Sequence, residues 1–180
     1  MMQTYICLLR GINVSGQKKI KMAELKVLFE GLGFKDVITY IQSGNIIFKS
    51  EEKDARVLEN LIHQMLLNDF GFDITVIVIT PKEIQYAATN NPFEQDKTKD
   101  PKKFYVVFLQ ERPQPAKSEN LARYNYSPEE YSLVGRLVFF YAANGAGKAK
   151  MTNNFFESKL KVKASSRNWR TVHKLVELSK

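Results

Sequence analysis

Arginine and lysine are the side chains best placed to do chemistry in this sequence, and they are clustered. Arg10, Lys18, Lys19 and Lys21 share one stretch without a single acid. Its start, Arg10-Gly11-Ile12-Asn13-Val14-Ser15-Gly16, holds two glycines. Glycines let backbone N–H groups come close to a ligand, and lysines at the head of the next helix attract an anion. The second cluster is Ser165-Ser166-Arg167-Asn168-Trp169-Arg170-Thr171, followed by Lys174. A helix over Arg167–Leu178 has Ser165 and Ser166 as its expected caps. On such a helix Arg167, Arg170 and Lys174 form a cationic stripe, and a part-exposed Trp169 is positioned to stack on a base. The plain alternative is a capped amphipathic helix whose tryptophan is core. A weaker feature, Ser43-Gly44-Asn45, reads first as a hairpin turn and second as a partner of the first loop, Ser43 and Asn45 facing the same ligand.

Other chemistries lack their residues. Gly145-Ala146-Gly147-Lys148 imitates a phosphate loop, but Ala149 stands where a Mg²⁺-binding Ser or Thr belongs, and position 142 is alanine. His63 and His173 are far apart and Cys7 is alone, so no zinc-ligand spacing exists. Cys7 sits in an apolar alternating run and reads as a small buried hydrophobe. Glu51-Glu52 and Glu129-Glu130 are adjacent pairs that point apart in any regular element. Ser43-Gly44 lacks the GxSxG frame of a nucleophile elbow. No catalytic constellation is visible, and no cofactor is implied.

The elements that must carry these clusters follow from hydrophobic period. Gln3–Arg10 alternates as a strand. Met22, Leu25, Leu28 and Phe29 mark a helix ended by Gly31 and Gly33. Residues 36–42 and 45–49 form a hairpin, 54–69 a second helix, and 72–80 a fourth strand. That order is the split β-α-β of ferredoxin-like units. Pro81–Ala88 reads as a connecting helix, and Asn90–Lys102 as a linker. Then come a strand over 103–109, a helix near 116–123, strands near 131–134 and 136–141, and helices near 152–160 and 167–178. The expected fold is therefore α+β, with two ferredoxin-like subdomains in tandem, the second lacking a clear closing strand. The expected boundaries are 1–80, a connecting helix and linker over 81–102, and 103–180.

Leu9-Arg10-Gly11-Ile12-Asn13-Val14 resembles a block of domain-of-unknown-function family 1697, a group of small, mostly bacterial proteins. The resemblance continues through Lys19–Leu25, Tyr40–Asn45, Asn91-Pro92-Phe93 and Ser166–Thr171. It implies an α+β fold of two related subdomains, and it implies no activity.

Composition narrows the function classes. With 180 residues and 44% hydrophobic content the chain can build a packed core. One cysteine fits a reducing compartment. The apolar runs are strand-length and the amino terminus has no export pattern, so the expected location is the cytoplasm, without membrane contact. Net charge is +8. Arg10–Lys21 contributes four cations, and Lys148–Lys180 nine against Glu157 and Glu177. The two segments thus hold 4 + 9 − 2 = +11, leaving −3 for the rest. Concentrated charge points to an anionic partner. The expected function is binding of a phosphate-bearing ligand, either a nucleic acid or a small phosphorylated molecule. Against an RNA-binding sheet, Asn45-Ile46-Ile47-Phe48 offers one ring where two or three are usual. The alternatives are an enzyme on a small anionic metabolite and a module for an acidic protein partner.

Overall fold

The computed structural model describes residues 1–180. The chain divides into two compact units, Met1–Ile84 with Leu175–Lys180, and Gln85–Lys174. The first contains β1 (Gln3–Leu9), α1 (Met22–Gly31), β2 (Lys35–Tyr40), β3 (Asn45–Ser50), α2 (Ala55–Phe70) and β4 (Val76–Ile79). Its sheet has the order β2-β3-β1-β4, every pairing antiparallel. The near-continuous apolar run of β1 suits a central strand, and Tyr5–Leu9 are all buried. Tyr5, Cys7, Leu9, Ile46 and Phe48 share a core with Leu25 and Phe29 of α1 and Leu58 and Ile62 of α2. Phe34 and Phe48 lie with ring centroids 4.4 Å apart, and Phe29 meets Phe48 edge-on at 5.6 Å. Asp54 caps α2 by accepting from the Arg56 N–H at 2.8 Å, and Gly71 ends the helix in the left-handed region at φ 68°.

Helix α3 (Pro81–Thr89) follows, then two single 3₁₀ turns, Pro92–Gln95 and Pro101–Lys103. Asn91 and Asp100 cap these turns with their side-chain oxygens, so the polar stretch after α3 has local order. The second unit continues with β5 (Phe104–Leu109), α4 (Pro115–Leu121), β6 (Glu130–Val134), β7 (Leu137–Tyr141), α5 (Asn153–Leu160) and β8 (Ala164–Asn168). Helix α6 (Trp169–Leu178) comes last. Its sheet runs β6-β7-β5-β8, the same order as in the first unit. Val107, Leu109, Val138 and Phe140 pack with Leu121, Phe156 and Leu160 as its core.

The fold is α+β with two four-stranded antiparallel sheets, and one detail corrects the sequence reading. The second subdomain does have a closing strand: β8 pairs with β5 through Val106 opposite Arg167 and Val107 opposite Ser166. Ala-Ser-Ser-Arg-Asn has little intrinsic strand preference. Backbone pairing with β5 decides its conformation.

Candidate functional site

The first cluster folds into a stapled loop. Asn13 donates from Nδ2 to Ile20 O and to Gln42 O, each at 2.9 Å, while its Oδ1 accepts the Ile20 N–H at 2.9 Å. Lys18 Nζ donates to Asp73 O at 2.7 Å, fastening the loop to the approach to β4. Lys21 forms an exposed ion pair with Glu24 at 3.4 Å. Arg10 is half-buried, and its N–H donates to Thr75 O at 3.1 Å. Lys19 is exposed.

The Ser43-Gly44-Asn45 turn lies beside this loop, joined to it through the Asn13–Gln42 bond. Asn45 is fully buried and donates to Tyr40 O and Ser43 Oγ. Gly44 has φ +78°, and its carbonyl accepts the Leu9 N–H at 2.8 Å. Asn13, Lys18 and Asn45 thus donate from their side chains to main-chain carbonyls, and Ser43 Oγ accepts from Asn45.

The second cluster departs from the expected capped helix. Ser165 and Arg167 lie on β8 and are buried, Ser166 is half-buried, and Arg167 Nη1 donates to Ser165 Oγ and Ser166 O, both at 2.8 Å. The helix cap is Asn168, whose Oδ1 accepts the Thr171 N–H at 2.8 Å. Trp169 retains only 7% exposure. It packs edge-on against Phe104 at 6.1 Å and against the His173 ring at 4.7 Å. The cationic stripe therefore dissolves: Arg167 belongs to a strand, Arg170 is exposed on α6, and Lys174 is half-buried. No ring is presented for base stacking there. Strand β8 takes Arg167 and Asn168, so the helix begins at Trp169 and only Arg170 and Lys174, four residues apart, remain on it.

The two units share a backbone pattern that exposes a cationic feature with no sequence motif. Leu9 N–H donates to Gly44 O and Arg10 N–H to Thr75 O; in the second unit Leu109 N–H donates to Arg136 O and Gln110 N–H to Lys163 O. At this end of the first sheet the stapled loop covers the strands, with Ile12 buried. At the same end of the second sheet lies a cleft of about 390 Å³, lined by Glu111, Arg112, Gln114, Lys117 and Lys161 over Leu160 and Val162. The side chains of Arg112, Lys117 and Lys161 have no carboxylate partner. Arg112 passes the β6–β7 turn, where its Nη2 lies 3.6 Å from where a Cβ would stand on Gly135. No sequence pattern marks this set, because its members come from positions 111–117 and 160–162.

Elsewhere cations are used structurally. Lys99 bonds Glu130 at 2.6 Å and Asp96 at 3.1 Å and lies over the Tyr141 ring at 5.0 Å. The Asp96 carboxyl, accepting from the Thr98 hydroxyl and N–H with Lys99 beside it, is held at about 2. The hydrogen bond to Glu130, then that to Asp96, raises the Lys99 ammonium above its ordinary value. Glu129 is buried and accepts the N–H groups of Lys150 and Met151 at 2.8 and 2.9 Å, fixing the segment ahead of α5. No group of three or more His, Cys, Asp or Glu side chains is placed to hold a metal ion. No helix is long and apolar enough to cross a membrane.

The chain is an α+β protein of two compact units, each with a four-stranded antiparallel sheet. Residues 2–139 match the family described as protein of unknown function DUF1697, and the chain belongs to that family. The Ser166–Thr171 block lies beyond the matched residues. The solved structure of a conserved bacterial protein from Streptococcus pneumoniae is similar over 100% of both chains, with a TM-score of 0.78 and 23% sequence identity. That likeness shows a shared fold. No curated protein matches the chain.

Proposed function

We propose that the protein binds a phosphate-bearing anionic ligand on the cationic surface of its second unit. The observation that carries this reading is the state of the cations there. Lys148, Lys150, Lys161, Lys163 and Arg170 are exposed, and none has a carboxylate partner. In most surfaces charges of both signs are interspersed. A patch of one sign raises the local potential and draws in anions. Burial of Arg167 and Trp169 removes the base-stacking device from the reading, so affinity rests on charge.

The test is binding of a short single-stranded RNA and, separately, of a sugar phosphate, followed by calorimetry at about 50 and 200 mM salt. Affinity for one of them that falls steeply with salt is the expected result. Replacing Lys148, Lys150, Lys161 and Lys163 together by Gln should weaken it by at least tenfold. Affinity indifferent to both salt and these substitutions would sink the proposal.

A further inference from the structure

The two units put opposite chemistry at equivalent positions, and that contrast locates a ligand. Counting from the matched bonds of Leu9 and Leu109, Ile12 corresponds to Arg112. Ile12 is buried beneath its loop, while Arg112 is exposed at the cleft. The helices that precede the last strands end alike, in the left-handed region: α2 at Gly71 with φ 68°, α5 at Lys161 with φ 58°. Glycine is the favoured residue in that conformation, and any side chain there costs about 1 kcal/mol. The second unit has a lysine in that strained position, and this residue lines the cleft. Pro113 and Pro115 stiffen the loop that carries Arg112, so the site is largely preformed.

The charge of the lining selects the ligand. Arg112, Lys117 and Lys161 give three positive charges and Glu111 one negative, 3 − 1 = +2. A phosphomonoester carries about −1.5 to −2 at neutral pH, a close complement, whereas a single carboxylate leaves excess charge. Arginine's planar fork fits two phosphate oxygens, and lysines supply point charges around them. The volume of about 390 Å³ lies in the range of small-molecule sites, and Leu160 and Val162 supply an apolar wall for a short carbon skeleton.

We infer that this cleft binds a small organic phosphate, its phosphoryl group held by Arg112, Lys117 and Lys161. The inference rests on the anion-binding reading of the second unit and names its site and ligand class.

Calorimetric titration of the full chain with ribose 5-phosphate, ribose, inorganic phosphate and a short single-stranded RNA tests it. Ribose 5-phosphate should bind saturably and ribose should not bind. Arg112→Gln and Lys161→Gly should each weaken ribose 5-phosphate by about tenfold or more. Lys161→Gly also relieves the left-handed strain, so this variant should unfold no earlier than the wild type, which separates lost binding from lost folding. Affinity unchanged in both variants overturns the assignment. Inorganic phosphate binding as tightly as the sugar phosphate overturns its organic part. RNA binding with no response to ribose 5-phosphate overturns the cleft site while the anion-binding reading stands. Silence from every phosphate-bearing ligand removes both.

Discussion

A Cβ placed on Gly44 would sit 2.7 Å from Leu9 Cβ and 2.9 Å from Ile12 Cδ1, on a backbone at φ +78°. Both neighbours are buried, so nothing there yields cheaply. The left-handed backbone and the overpacking each cost about 1–2 kcal/mol, so Gly44→Ala should lose about 3 kcal/mol in urea unfolding. An unchanged urea midpoint would show that the turn moves freely, contrary to this packing. Asn13 is the polar counterpart. Asn13→Ala leaves Ile20 N–H, Ile20 O and Gln42 O without their partner and should cost about 1–3 kcal/mol, with Asn13→Asp recovering only the bond to Ile20 N–H. The sequence marks Gly44 as a turn glycine and Asn13 as part of a candidate anion loop, and the hydrogen bonds give Asn13 a structural use. Gly-rich loops look alike whether they cradle a phosphate or pin a neighbouring turn, and only the long-range bond from Asn13 to Gln42 separates the two.

Elements reverse that balance in the second unit. Strands β5 and β7 were legible from their apolar runs, but β8 was not, because its residues are small and polar and its conformation comes from pairing with β5. Once β8 runs to Asn168, the helix after it starts with Asn168 as cap, and Arg167 leaves the helical face assigned to it. Asn168→Ala should destabilise the chain by about 1 kcal/mol and Asn168→Asp should be nearly neutral, since either oxygen-bearing side chain accepts the Thr171 N–H. Equal losses in the two variants would assign the effect to something other than capping. The segment before β5 has its own electrostatic signature. Asp96, at about 2 in the fold, lies below the ordinary aspartate value of about 3.9. A depressed carboxylate contributes its full stability above the unfolded value and loses it as pH falls through the folded one. Urea midpoints of the wild type and Asp96→Ala should therefore differ by a constant amount above about pH 5 and converge toward about pH 2. A gap that persists undiminished at the acid end would contradict the Thr98 and Lys99 contacts as its origin.

At the scale of the molecule, the duplicated hydrogen bonds of Leu9 and Leu109 reveal a repeat that residue identities conceal. Backbone pairing needs no particular side chain, so the architecture persists while Arg112 and Lys161 stand in the second unit where the first has Ile12 and Gly71. Charge clustering was legible from the sequence because it is a sum over segments; the cleft was not, because its cations come from different elements. Cations without carboxylate partners add to the self-repulsion of a chain whose net charge is +8. Raising salt from about 20 to 200 mM shortens the Debye length from about 20 to 7 Å and should raise the melting temperature. The Lys148→Gln, Lys150→Gln, Lys161→Gln, Lys163→Gln variant removes four of these charges. It should melt higher than the wild type at low salt and respond less to added salt. Greater stability after losing residues that weaken ligand binding is the trade expected of a functional surface. If the variant instead melts lower at every salt concentration, these lysines stabilise the fold through their aliphatic stems, and the unpaired charge is incidental to packing rather than retained for an anion.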